Sequence, residues 1–306
     1  MAAESTTTLQ TEIKALARKR NALILAHNYQ PPAIQDLADL CGDSLELSRK
    51  AAQTDADIIV FCGVHFMAET ASILCPEKTV LLPRDDAGCL MADMITAEAL
   101  QARIDNLPPM PVVTYVNSTA DVKALSTICC TSANAVEVVN SLAADELLMT
   151  PDRNLAMYAA SRTGKKIHIW EGYCPTHEWL TADDVHQARA AHPDAVFLAH
   201  PECRPEVLAL ADVIASTSGM LRHVTAAKET AFIVGTEKGL LHPMQKANPD
   251  KRFYPAADKM ICANMKKIQL EDVRRCLETM TGEVRVPEAI RLPALQAVRA
   301  MVELNL

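Results

Sequence analysis

The chain has 306 residues, 49% hydrophobic and 22% charged, enough for a large buried core and for more than one unit. A net charge of −8 without any Lys/Arg-rich run argues against a nucleic-acid partner. The longest apolar runs, such as residues 57–64, are too short to span a bilayer, and the polar residues 1–8 lack the apolar segment of a signal peptide, so a cytoplasmic chain with no membrane contact is expected.

In chain order, residues 6–20 read as a helix. A β-branched apolar run over 22–29 then ends on His27-Asn-Tyr29, and the turn Cys41-Gly-Asp-Ser44 opens a helical segment. A strand at 58–61 follows, and a fourth element from Val80 leads to Cys89. The series then recurs. Residues 112–117 end on Tyr115 and Asn117, the turn 130–132 carries Ser132, a strand covers 146–149, and the run from Ile167 leads to Cys174. It recurs once more, with 195–202 ending on His200 and Glu202, Ser216 and Thr217 in the turn 215–219, a strand at 232–234, and Phe253 and Tyr254 leading to Cys262.

The steps keep register. His27, Tyr115 and His200 are 88 and 85 residues apart, as are Ser44, Ser132 and Thr217, while Cys89, Cys174 and Cys262 are 85 and 88 apart. Such coincidences point to a triplicated βα unit. The expected fold is α/β: three pseudo-symmetric repeats, each a three-layer αβα unit with a short parallel sheet, around one central site. The repeats are placed at 1–105 (with the N-terminal helix), 106–190 and 191–268. Residues 269–306 read as two helices, separated near Pro287 to Pro293 and packing back on the first repeat. One large doubly wound sheet is the alternative. Asp183 and Asp184 are expected to cap a helix after Thr181.

Ligands of open α/β sheets bind beyond the carboxyl ends of the strands, where all these polar clusters fall. Residues i and i+2 of a strand share a face, so His27 with Tyr29, Tyr115 with Asn117, and His200 with Glu202 can each address one ligand. Hydroxyl and amide donors at Tyr115 and Asn117 suit carboxylates. Ser44 and Ser132 sit in turns that open helices, where N–H groups and the helix dipole favour phosphate. Ten cysteines without an export signal are not expected to be disulfides. From spacing alone, Cys89, Cys174 and Cys262 fit a thiolate-held iron–sulfur or zinc centre, or buried structural thiols. No CxxC, GxGxxG or P-loop is present, so neither a zinc ribbon nor nucleotide binding is supported.

The motifs 26–31 (AHNYQP), 42–48 (GDSLELS), 64–70 (VHFMAET), 114–117 (TYVN), 131–134 (TSAN), 172–177 (GYCPTH), 200–203 (HPEC) and 261–266 (ICANMK) resemble the quinolinate synthase family over about residues 20–270. The resemblance implies three pseudo-symmetric domains around a [4Fe–4S] cluster held by Cys89, Cys174 and Cys262, with one iron open as a Lewis acid. It implies condensation of iminoaspartate with dihydroxyacetone phosphate to quinolinate, phosphate and water, and a functional link to an aspartate-oxidising enzyme. By the same resemblance His27 binds substrate, Tyr29 transfers protons, and Ser44 and Ser132 hold the triose phosphate. From the residues themselves, Glu202, a carboxylate near a metal and other acids, is the expected general base, His200 and the third-repeat equivalents Ser216 and Thr217 are expected to bind substrate, and His177, three residues after Cys174, is expected to support the metal site or act catalytically in proton transfer. Some relatives carry a CxxCxxC at the third ligand. Here Ala256 and Lys259 stand at the earlier positions, so their redox regulation is not carried over. Another [4Fe–4S] hydro-lyase acting on a hydroxy acid, or a non-catalytic iron–sulfur redox sensor, are the alternatives.

Overall fold

Among residues 5–304, which the computed structural model describes, twelve short strands form three separate four-stranded sheets. The first contains β1 (Ala22–His27), β2 (Leu40–Gly42), β3 (Ile58–Cys62) and β4 (Thr79–Leu81). The second contains β5 (Val112–Tyr115), β6 (Ile128–Cys130), β7 (Glu146–Thr150) and β8 (Lys166–Ile169). The third contains β9 (Val196–Ala199), β10 (Val213–Ile214), β11 (Ala231–Gly235) and β12 (Arg252–Pro255). Spatial order is the same in each, β2-β1-β3-β4, β6-β5-β7-β8 and β10-β9-β11-β12, and every pair is parallel. The molecule is therefore an α/β protein of three repeated αβα units, as the repeat register predicts.

Composition explains the strands. β3 (IIVFC) and β11 (AFIVG) are buried at every position, as expected of parallel strands covered by helices on both faces. The edge strands β2 and β10 are only three and two residues long and mostly half-buried, which leaves little unpaired edge. Helix starts follow side-chain chemistry. Asp43 caps the helix Ser44–Gln53 in a capping box with Glu46, and Thr181 caps Ala182–Ala191 with Asp184.

The first two units share one apolar core with the C-terminal helices, whereas the third has separate cores on the two sides of its sheet. The helix Leu270–Thr279 packs on the N-terminal helix Thr6–Lys19. The helix Glu288–Glu303 packs on Ala120–Ala124, on β6 and on His65–Leu74, so it lies across the first and second units. Pro287 stands at its N-cap, and the break expected near Pro287 to Pro293 ends there, because the helix runs on through Pro293. Proline there removes one backbone hydrogen bond, which burial of Ala294, Ala297, Val298 and Met301 offsets. Lys123, fully buried, ties the same two units together by donating from Nζ to the carbonyls of Ser118 (2.7 Å) and Phe66 (3.4 Å).

In each sheet the chain leaves the first strand for one neighbour and then crosses to the other side. The switch point lies beyond the carboxyl ends of β1 and β3 and of their equivalents. His27, Tyr115 and His200 stand at or just past the ends of β1, β5 and β9.

Candidate active site

One cavity of about 240 Å³ collects the strand ends of all three units. His27, Tyr29, Ser44 and Cys89 line it from the first unit, and Tyr115, Asn117, Ser132, Cys174 and His177 from the second. His200, Glu202, Thr217 and Cys262 line it from the third. Leu90, Trp179 and Ile261, large apolar side chains left exposed, belong to the same lining. Ser216 is the one expected site residue outside it. Ser216 caps the helix Thr217–Ala226, accepting from the amide of Gly219, and its hydroxyl donates to Asp43 Oδ2 at 3.2 Å.

The i, i+2 pairs behave as strand geometry requires. The Tyr29 amide donates to His27 Nδ1 at 3.1 Å, and burial lowers the His27 pKa to about 3. A neutral His27 whose Nδ1 accepts carries its proton on Nε2, as a donor. Tyr29 and Tyr115 are buried, and both phenols are pushed well above their usual range, first by burial and then by the Glu202 charge.

A hydrogen-bonded chain links the units. Tyr29 OH shares a 2.6 Å hydrogen bond with Thr236 Oγ1, which lies 2.8 Å from His177 Nε2. His177 Nδ1 lies 2.9 Å from Glu202 Oε2 and 3.1 Å from Cys174 Sγ. His200 Nδ1 stands 3.1 Å from the same Glu202 oxygen, and its Nε2 reaches Ser132 Oγ at 3.2 Å. The two imidazoles stack at 4.5 Å. Burial alone would raise the Glu202 carboxyl, but His177 and His200 outweigh it and hold Glu202 below the usual carboxylate range. Glu202 Oε1 and Asn117 Oδ1 are buried and have no partner among the described residues, as expected of groups that await a ligand.

The three lining cysteines are free. Burial pushes Cys89 up to about 12, and burial raises the thiols of Cys174 and Cys262 as well; Cys89 and Cys174 are raised further by neighbouring thiols of the three, and Cys262 by the Glu237 carboxylate. Three thiols on one cavity, costly to ionise together without a cation, fit a metal centre held by three thiolates. Cys174, His177 and Glu202 also place one donor atom each within 4.8 Å of one another. Of the other cysteines, Cys62, Cys75, Cys129, Cys130, Cys203 and Cys276 are buried in cores and Cys41 is half-buried.

Thr236 escapes the repeat reading. Its register equivalents are Gly63 and Pro151, so no polar pattern marks the position. Asn28 is missed for another reason. It lies in the turn past β1, between the paired residues His27 and Tyr29, and its amide donates to Thr217 Oγ1 at 2.9 Å.

A family model described as "Quinolinate synthetase A protein" matches residues 11–303. A protein named quinolinate synthase from Geobacter sp. (strain M21) is 56% identical over 295 residues, covering 96% of this chain and 97% of that one. Relatives of the same name from Thermodesulfovibrio yellowstonii and Methanoregula boonei are 53% and 54% identical, over 96% and 98% of this chain and 97% and 100% of theirs. No helix among the described residues is long and apolar enough to cross a membrane.

Proposed function

The chain belongs to the quinolinate synthetase A family of enzymes, and on that premise we propose that it condenses iminoaspartate with dihydroxyacetone phosphate, giving quinolinate, phosphate and water. The observation that carries this reading is convergence. Three cysteines, three strand-end pairs, Ser44 at the start of a helix and Ser132 in the turn before one line a single cavity from three sequence-distant units. Cys89, Cys174 and Cys262 would hold a [4Fe–4S] cluster, which supplies, when bound through three thiolates, one iron open to substrate oxygen as a Lewis acid.

The chain's own residues supply binding and proton transfer. His27 Nε2–H and the donors of Tyr115 and Asn117 hold carboxylates. Ser44, at the first turn of its helix, and Ser132 hold the phosphate end, and Thr217 and His200 complete the contacts. Glu202, ionised and with Oε1 uncommitted, takes the proton from carbon as the imine becomes an enamine. His177 and Thr236 connect Glu202 to the Tyr29 phenol, which is kept protonated and so can return a proton to a departing oxygen. An imine of this kind hydrolyses in water, so an aspartate-oxidising reaction must supply it close at hand, in the cytoplasm.

Anaerobic, cluster-replete protein should form quinolinate from both substrates without added nucleotide. Protein that dehydrates a hydroxy acid and ignores the triose phosphate would move the chain to a hydro-lyase reading, and protein that does neither would end the enzymatic one.

A further inference from the structure

Residues 64, 152 and 237 follow the third strand of each unit at steps of 88 and 85, the register of the paired polar residues. In the second unit this position is Asp152, 1% exposed. Its Oδ1 accepts the amide of Leu155 at 2.8 Å, and its Oδ2 accepts the amide of Cys174 at 3.1 Å. In the third unit it is Glu237, 0% exposed. Its Oε1 accepts the amide of Cys262 at 3.3 Å, and its Oε2 takes the amide of Gly239 at 2.7 Å and Lys266 Nζ at 2.9 Å. In the first unit it is Val64, and a backbone contact serves instead: the His65 amide donates to the carbonyl of Ala87 at 2.8 Å, two residues before Cys89.

We propose that Asp152 and Glu237 are positioning residues for the cysteine-held centre, each fixing the backbone of one ligand cysteine without touching its sulfur. The inference rests on the reading of Cys89, Cys174 and Cys262 as ligands. A cysteine has one side-chain torsion, so peptide orientation and one staggered choice decide where sulfur points, and metal–ligand lengths tolerate about 0.2 Å. Each carboxyl group reaches across the loop after the fourth strand, over 22 and 25 residues of chain. Burying a carboxyl is costly. Capping the helix Arg153–Thr163 needs one oxygen only, which serine or asparagine supplies as well. The second oxygen of Asp152 goes to Cys174, as the first of Glu237 goes to Cys262.

Asp152→Ser retains a capping hydroxyl and removes the oxygen that reaches Cys174, and Glu237→Met removes the acceptor for Cys262. Two readouts are combined. Iron release from anaerobic, cluster-replete protein to a ferrous chelator should speed up roughly tenfold to a hundredfold, the usual scale for groups that orient metal ligands. Hydrogen exchange on the cluster-free proteins should accelerate at 172–176 in Asp152→Ser and at 260–264 in Glu237→Met, with 87–91 unchanged in both. Wild-type rates in both readouts, or exchange accelerated equally in all three segments, would overturn the proposal while leaving the ligand reading intact. Wild-type protein that takes up no iron would overturn both. Should Glu237→Met fail to fold, Asp152→Ser decides by the same criteria.

Discussion

Replacing Thr236 with valine keeps the side-chain volume and deletes the hydroxyl that joins Tyr29 OH (2.6 Å) to His177 Nε2 (2.8 Å). Thr236 is 1% exposed and His177 fully buried, so the imidazole loses a partner where water cannot replace it. One stranded buried polar group costs about 1–3 kcal/mol, which should appear as that loss in urea unfolding of the cluster-free protein. The catalytic effect is separate. Glu202 and Tyr29 remain in place but no longer exchange protons, and positioned proton transfer contributes about 10²–10⁴-fold. We expect kcat for quinolinate formation to fall by about 10², KM to change little, iron content to stay at the wild-type level, and Thr236→Ser to restore the rate. A valine variant with full iron and kcat within about twofold of wild type would refute the relay through Thr236.

Glu202→Gln should keep its iron and lose turnover by about 10³, measured as anaerobic quinolinate formation; a rate near wild type would remove Glu202 as base. Cys174→Ser should abolish cluster iron, whereas Cys203→Ala, a change in the core of the third unit, should leave iron content unchanged and lower only stability, by about 1 kcal/mol in denaturant unfolding. Acid should destabilise the fold through His27. Burial holds its folded pKa near 3, so below the ordinary value of 6.5 the unfolded chain takes up a proton that the folded site refuses. The stability present above pH 6.5 is lost as pH falls from there toward 3, and His27→Gln should flatten that part of a melting-temperature profile. Lys123→Ala should cost about 2–5 kcal/mol, read by urea unfolding, because it empties a fully buried site and strands the Ser118 and Phe66 carbonyls.

Much of this molecule is legible along the chain because parallel α/β units impose local rules. Period-two faces place His27 with Tyr29 and His200 with Glu202 at strand ends. Apolar runs mark the buried strands, and the 85- and 88-residue steps identify equivalent positions before any contact is known. The cavity wall was readable for the same reason: twelve of its residues sit at repeat-marked positions. Ser216 shows the limit of that rule. It shares the register of the site, but its hydroxyl is consumed by a helix cap and by Asp43, and only three-dimensional competition for partners reveals this. Pro293 shows another limit, since tertiary burial of the residues after it outweighs a local helix-breaking signal. Thr236 bridging Tyr29 to His177, Glu202 held between two imidazoles, and Asp152 and Glu237 reaching the amides of Cys174 and Cys262 depend on how the loops and the three units pack. The sequence by itself determined the units, their parallel sheets and the edge on which chemistry gathers, because those follow from short-range periodicity. Only the tertiary structure decided which side chains share protons and which spend their hydrogen bonds elsewhere, because that depends chiefly on contacts between residues far apart in the chain, up to 207 positions.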